Sequence, residues 1–108
     1  RKLLRVSGNS MFPTIKEGDT VIYRTSKNKT ISLQEGLILI IRSPLNSSVL
    51  IIKRLHEYNS LGLDVRGDNE MASDDSRKFG LVRHNHLQGV VEQIIPRFPP
   101  KKPFSSKF

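Results

Sequence analysis

The sequence contains no cysteine, only two tyrosines and five phenylalanines, and no long apolar run. Without cysteine, neither a disulfide nor a thiolate metal ligand can hold the fold together, so side-chain packing must supply its stability. The longest nearly apolar runs, residues 36–41 and 49–52, have the length of β-strands and fall far short of the roughly 18 to 20 residues that span a bilayer. The chain as given is therefore expected to be soluble, and a membrane anchor upstream of Arg1 stays open.

The positive charge of the chain is concentrated at its C-terminal end. At 108 residues the chain is about the size of one small domain, and four of its eight net positive charges lie in residues 97–108, which contain no acid. Prolines interrupt the same segment, so we predict a flexible basic tail over residues 96–108 after a single domain over residues 1–95. The basic residues of this tail are Arg97, Lys101, Lys102 and Lys107, and its prolines are Pro96, Pro99, Pro100 and Pro103.

A net charge of +8 makes an acidic partner, such as nucleic acid or an anionic membrane surface, the first class to consider. Modules that bind single-stranded nucleic acid interleave basic residues with aromatic ones, and this chain has few aromatics and no such repeat. No nucleic acid is therefore expected. A basic nucleic-acid-binding module stays as the alternative that is not an enzyme, and its binding would collapse as salt is raised.

Branched apolar residues bounded by turn signals predict several short strands. Helical signal is limited to one turn over residues 12–16, where Pro13 is well placed at a helix start. A hairpin is expected through Asn59 and Ser60. We therefore predict a mainly β fold with little helix, in one compact domain. The predicted strands are residues 20–23, 37–42, 49–52, 61–66 and 89–95.

Ser10 lies between a flexible glycine, Gly8, and a chain-stiffening proline, Pro13. Such a setting can hold a hydroxyl on an exposed turn, where it could act as a nucleophile. Taken alone, the same pattern is typical of a turn or a helix cap.

Lys53 ends the apolar run at residues 49–52. A lysine at such a place is commonly a surface residue whose amine reaches solvent. If the amine is buried instead, its charged form is disfavoured, its pKa falls, and it can take the proton of a serine hydroxyl. Ser–Lys pairs are an established variant of the serine-protease arrangement, so His56, His84 and His86 are not needed for catalysis.

A third polar cluster follows the predicted strand at residues 61–66. A polar loop with an internal Asp–Arg pair accounts for its residue types. Its carboxylates and amide are hard oxygen ligands, but their spacing does not fit a calcium loop, so neither a metal nor a cofactor is expected. The cluster contains Gly67, Asp68, Asn69, Ser73, Asp74, Asp75, Ser76, Arg77 and Gly80.

In this order the three clusters resemble the diagnostic segments of the signal peptidase I family of Ser/Lys-dyad peptidases. Ser10-Met11 with Pro13-Thr14 and Gly18-Asp19 looks like the nucleophile segment of that family. Lys53-Arg54 looks like the general-base segment, and the run from Gly67-Asp68-Asn69 to Gly80 looks like the last one. The resemblance extends from about Val6 to Val91.

The resemblance implies a LexA-like, signal-peptidase-like β domain in which Ser10 attacks a peptide carbonyl. Lys53 would act first as base and then as acid, and Ser73 would orient the lysine by a hydrogen bond. The implied supporting residues are Asp68, which would help hold its loop, and Asp75 with Arg77, which would form an ion pair.

The sequence departs from the family pattern near the nucleophile. Gly8 stands where many bacterial members have a serine that helps bind the oxyanion, which leaves the Ser10 amide as the expected donor and Ser7 as a weak second candidate. Glu70 replaces the arginine often found after Gly-Asp-Asn. Met11 and Phe12 are assigned equally to a substrate cleft or to the core.

Family members remove leader peptides or propeptides, so the expected partner is a protein precursor with such an N-terminal segment. The short chain and the form of residues 6–14 resemble the small branch of nickel-type superoxide dismutase maturation proteases, which implies a cytoplasmic location. The alternatives are a membrane-anchored signal peptidase or a mitochondrial inner-membrane peptidase whose anchor was trimmed, with the catalytic domain outside the cytoplasm. A LexA-type self-cleaving domain stays open, although residues 67–77 argue against it. Membrane association is expected only through an upstream anchor or the basic tail.

Overall fold

The chain folds into one six-stranded antiparallel sheet with the strand order β1-β2-β6-β3-β4-β5. The computed structural model describes residues 1–26 and 32–98. Within these residues, helix is confined to one short α-helix, Ser76–Phe79, and to 3-10 turns at Glu70–Ala72 and His84–His86. The strands are β1 Lys2–Arg5, β2 Thr20–Thr25, β3 Ile38–Arg42, β4 Leu50–Asn59, β5 Gly62–Arg66 and β6 Leu87–Ile95.

The mainly β fold predicted from the sequence is confirmed. The expected hairpin joins β4 to β5, and the Asn59 side chain closes its turn by accepting the amides of Leu61 and Gly62. Residues 12–16 form hydrogen-bonded turns without a helix: the Phe12 amide donates to the Asn9 carbonyl at 3.1 Å. Most of the predicted C-terminal tail lies outside the described residues.

Two elements differ from the prediction. Strand β1 was not predicted from its short run of two leucines between basic residues. Strand β4 continues well beyond residue 52 to Asn59, because its exposed distal half pairs with β5 in a two-stranded ribbon. Lys53 therefore lies in the interior of a strand and not at its end.

Alternation of side chains along β3 and β4 divides the core between the two faces of the sheet. Ile40 and Ile52 lie opposite each other and pack in one hydrophobic cluster. The next pair, Leu39 and Lys53, points to the other face, where Leu39 packs in a second cluster with Leu55. The backbone thus carries the Lys53 side chain onto a hydrophobic face.

No helix within the described residues is long and apolar enough to cross a membrane.

Candidate active site

Ser10 lies on a loop between β1 and β2 that is pinned by its apolar residues. Met11 and Ile15 are almost completely buried in the first cluster, and the Ile15 amide donates to the Met11 carbonyl at 2.9 Å. Met11 is therefore a core residue, whereas Phe12 is 46% exposed and is available to line a cleft. The packing beside Ser10 fixes the backbone of the loop while leaving the serine only partly covered.

The base of this loop is closed by backbone hydrogen bonds that continue the pairing of β1 with β2. The Val6 amide donates to the Asp19 carbonyl and the Gly18 amide donates to the Val6 carbonyl, both at 2.8 Å. The 14 residues from Val6 to Asp19 are called the nucleophile loop below.

Lys53 is 4% exposed, and its amine donates to the Ser73 hydroxyl at 3.0 Å. Burial lowers the pKa of Lys53, an effect that the negative charges of Asp75 and Asp74 partly oppose. A buried lysine of this kind can exist as the neutral amine that a general base requires.

Ser73 fixes the orientation of that amine. The Ser73 hydroxyl has a single proton, and it donates this proton to Asp75 Oδ2 at 2.7 Å. The serine oxygen can therefore only accept from Lys53. When Lys53 is neutral, one of its N–H groups is engaged with Ser73 and its lone pair is left for another proton donor.

Asp75 is completely buried and keeps its negative charge. Burial alone would raise the pKa of this carboxyl, but hydrogen bonds from Arg77, the Gly67 amide and Ser73 outweigh it and hold the pKa well below its usual value. Arg77 contacts both carboxylate oxygens, with Nη2 at 2.6 Å and Nε at 3.0 Å. Arg77 also pairs with Glu70 at 2.7 Å, so Glu70 joins the outer side of this network.

A second network joins the three segments to one another. Arg54 forms a bidentate pair with Asp68, both bonds measuring 2.8 Å, and Thr14 donates to the same carboxylate at 2.6 Å. These bonds lower the pKa of Asp68, with Arg54 the main cause. Asp68 therefore links the nucleophile loop through Thr14 to the residue that follows Lys53.

The loop of Gly67 brings Ser10 close to the Lys53 network. The Asn69 amide donates to the Ser10 carbonyl at 2.9 Å, and the Asn69 side chain donates to the Asn9 carbonyl at 3.1 Å. A Cβ atom added to Gly67 would lie 2.5 Å from the Ser10 carbonyl oxygen and 2.6 Å from the Ser73 Cβ, so only glycine fits between them. Among the hydrogen bonds of the described residues, the Lys53 amine bonds to Ser73 and not to the Ser10 hydroxyl.

A cavity of about 310 Å³ borders Gly67 on the side of Arg54. Three arginines line it, Arg54, Arg66 and Arg77, and each of them pairs with a carboxylate. The wall therefore has no surplus positive charge with which to attract an anion. No group of His, Cys, Asp or Glu side chains that could hold a metal ion occurs in residues 1–26 or 32–98.

Sequence reasoning gave no role to Thr14, Arg54 or Asn69, although all three stand in the segments on which the resemblance was based. Their contacts join residues up to 60 positions apart. Each of the three segments carries a hydroxyl, charged or amide side chain that can bond to a group in another segment. This is the sequence signal that could have found them.

The sheet thus carries a buried lysine that donates to a serine, and this serine in turn donates to a buried aspartate. The model of the Peptidase S24-like family matches residues 2–90, and the chain belongs to this family. The predicted resemblance to signal peptidase I proteins is thereby confirmed.

A curated relative is mitochondrial inner membrane protease subunit 1 of Homo sapiens. The alignment is 105 positions long with 29% identity, and it covers 79% of this chain and 63% of the relative. The chain thus spans less than two thirds of the length of that protein.

Proposed function

We propose that the chain is a serine endopeptidase that uses Ser10 as nucleophile and Lys53 as general base to remove an N-terminal leader or propeptide from a protein precursor. The observation that carries the proposal is the buried Lys53 amine, whose pKa is lowered and whose orientation Ser73 fixes. A surface lysine would be protonated and could not act in this way. Ser73, Asp68, Asp75 and Arg77 hold the lysine and the loops around it.

The reaction follows from the proton positions. The Ser10 hydroxyl oxygen attacks the substrate carbonyl while its proton moves to the lone pair of Lys53. The resulting ammonium then gives a proton to the departing amine as the peptide bond breaks, which leaves an ester on Ser10. Water attacks this ester with Lys53 again as base. This step releases the carboxylic acid product and restores the Ser10 hydroxyl.

The developing oxyanion needs hydrogen-bond donors. The Ser10 amide donates no hydrogen bond within residues 1–26 and 32–98 and so is available for this task. Gly8 offers no side chain, and its own amide donates to Glu17 at 3.2 Å. The Ser10 amide is therefore the oxyanion donor that we assign, and Ser7 stays the second candidate.

An extended substrate can be held by the free edge of β4. Residues 50–53 pair with β3 on one side, whereas pairing with β5 begins only at Arg54. Among the described strands, none covers the other edge of this stretch, so its backbone groups are open to a peptide in β conformation. A substrate bound there would run beside the strand that carries Lys53.

The substrate we favour is a propeptide of the kind that masks nickel-type superoxide dismutase, with a cytoplasmic enzyme. The name of the human relative supports the alternative of a mitochondrial inner-membrane peptidase, which would be anchored and would act outside the cytoplasm. The match to the Peptidase S24-like family keeps self-cleavage of the LexA type as a second candidate function. In each case the partner is a polypeptide.

The test is incubation with candidate precursors, followed by sequencing of the new N-terminus. The wild type is compared with Ser10→Ala and Lys53→Met, and the matched controls are Ser60→Ala and Lys2→Met, both at exposed positions. We expect cleavage at one bond by the wild type and both controls, and a loss of at least about 10³-fold in the two site variants.

Equal cleavage by the wild type and Ser10→Ala would refute the assignment of the nucleophile. A parallel incubation without precursor separates the two candidates: shortening of the chain itself, abolished by Ser10→Ala, would favour self-cleavage over precursor processing.

A further inference from the structure

Asp19 at the base of the nucleophile loop is 5% exposed, and both of its carboxylate oxygens are engaged. Oδ2 accepts the Lys16 amide at 2.8 Å, and Oδ1 accepts the Arg97 amide at 2.9 Å. These backbone bonds, that of Arg97 first, lower the pKa of Asp19. One carboxylate thus ties the end of the nucleophile loop to the chain that leaves β6.

The Arg97 side chain covers the same turn. A Cβ added to Gly18 would lie 2.5 Å from the Arg97 Cδ, so the arginine stem packs directly on the glycine. The guanidinium stacks on the Phe98 ring at 4.9 Å from its centroid. The contact between Arg97 and the nucleophile loop is therefore both polar and steric.

We propose that Asp19, held by the Arg97 amide, is a positioning residue that sets the orientation of Ser10, so that the segment following β6 controls the reactivity of the nucleophile. The inference rests on the proposed role of Ser10. Asp19 does not touch the reacting atoms and acts only through the loop.

The remaining anchors of the loop explain why this contact affects orientation more than folding. Thr14 is held by Asp68, the Ser10 carbonyl by Asn69, and Met11 with Ile15 by the core. If the base anchor is removed, these contacts keep the loop in place but allow it to tilt. A shift of about 1 Å in a reacting group can reduce the rate by about 100-fold.

The sharpest test compares Arg97→Pro with Arg97→Ala. Proline lacks the amide N–H and so removes the bond to Asp19, whereas alanine keeps the N–H and removes only the side chain. Both are measured by the steady-state cleavage of a precursor or peptide, by the rate of Ser10 acylation with a p-nitrophenyl ester, and by the thermal midpoint. We expect kcat and the acylation rate to fall about tenfold in Arg97→Pro, with KM within about twofold of the wild type and Arg97→Ala close to the wild type.

Asp19→Asn supplies the internal check. In the wild-type background its NH₂ group must face one of the two backbone donors, so we expect a loss similar to that of Arg97→Pro. In the Arg97→Pro background the NH₂ group can occupy the vacant position, so Asp19→Asn should cost no further activity. Non-additivity of this kind is expected only if both changes act on the same bond.

Equal rates in Arg97→Pro and Arg97→Ala would overturn the proposal, and so would fully additive losses of activity in the double variant. Losses of activity that match the fraction of unfolded protein would also overturn it. If Arg97→Pro is unfolded at the assay temperature, Asp19→Asn decides: a folded variant with lowered kcat supports the proposal and an unchanged kcat overturns it. Failure of the proposed function itself is distinct, because Ser10→Ala would then be as active as the wild type.

Discussion

At the residue scale, the proposed chemistry depends on a lysine placed where its charge is disfavoured. Lys53 points to the hydrophobic face that holds Leu39 and Leu55, and its amine meets Ser73 in place of water. The nearby ionised Asp75 keeps the pKa of Lys53 from falling as far as burial alone would take it. Two opposing effects thus set the pKa of Lys53: burial lowers it and the charge of Asp75 raises it.

The pH dependence of kcat/KM should report this balance. The proposed mechanism requires neutral Lys53, so kcat/KM should rise with pH through the pKa of Lys53. Asp74 raises that pKa by its negative charge, so Asp74→Asn should shift the acidic limb to lower pH. The shift should be small and smaller still in high salt, because Asp74 is exposed.

The control for this shift is Asp64→Asn, which removes an acid that is paired with Arg66 and is absent from the groups that perturb Lys53. The acidic limb of the kcat/KM profile of Asp64→Asn should coincide with that of the wild type. A limb that moves to higher pH in Asp74→Asn would contradict the assignment of Lys53 as the base.

Ser73→Ala should separate orientation of the lysine from folding. The change removes the acceptor of the Lys53 amine but leaves Asp75 with its bonds to Arg77 and Gly67. We expect kcat/KM to fall by about 100-fold or more, with a loss of about 1 kcal/mol in unfolding free energy.

Ser76→Ala is the matched control for that variant. The Ser76 hydroxyl accepts the Val65 amide at 2.9 Å, so its loss should destabilise the fold by a similar amount. Activity should be retained. Equal activities of the two variants, measured at a temperature where both are folded, would show that Ser73 only stabilises the fold.

At the scale of elements, the site is assembled where two loops meet the middle of β4. The nucleophile loop and the loop after β5 touch at Gly67 and Asn69, and Asp68 connects both to Arg54. The close approach at Gly67 leaves no room for a side chain.

Gly67→Ala should therefore push the two loops apart. We expect a loss of about 1 to 3 kcal/mol in unfolding free energy from the forced contacts, together with a loss of activity from displacement of Ser10. Chemical unfolding and precursor cleavage measure the two effects.

The control is Gly36→Ala, where an added Cβ meets no atom within 4 Å but the φ angle of +96° is unfavourable for alanine. Its loss of about 1 kcal/mol should arise from backbone conformation alone. A Gly67→Ala variant that is as stable and active as the wild type would refute the close approach.

The same elements show which parts of the structure could be predicted from sequence. Residues 20–23 and 38–42 carry branched apolar side chains between turn signals, and both form strands as expected. Residues 56–59 of β4 were missed because their side chains are exposed, so no core-facing alternation marks them. Strand β1 was missed because two adjacent leucines show no period of two.

The candidate site, like the fold, has parts that could be predicted from the sequence and parts that could not. Residue types at three segments predicted the chemistry, because their order along the chain resembles that of the signal peptidase I family. Contacts such as Thr14 with Asp68, or Asp19 with Arg97, depend on how distant loops approach one another. No local pattern specifies that approach.

At the scale of the whole molecule, the buried lysine should reduce stability. The pKa of Lys53 in the folded state is below 10.5, the ordinary value for a lysine. At a pH between the folded-state pKa and 10.5, the unfolded chain therefore binds more protons than the folded one. The contribution of Lys53 to the free energy of unfolding is therefore lowest at a pH below the folded-state pKa. It rises as the pH increases toward 10.5.

Lys53→Met removes this term while filling the same space. We expect the variant to be more stable than the wild type at neutral and acidic pH, with a difference that shrinks as the pH approaches 10.5. Chemical unfolding of both proteins across the pH range measures it. A difference that grows with pH would contradict a lowered pKa for Lys53.

The most direct test of the central claim is to trap the acyl enzyme. Excess enzyme is mixed with a cleavable precursor, quenched in acid at early times, and mapped by mass spectrometry of its peptides. The account predicts an ester on the peptide that contains Ser10 in the wild type, and no such ester in Ser10→Ala or Lys53→Met. Cleavage of the precursor with the ester on another residue, or cleavage that persists in Ser10→Ala, would contradict it.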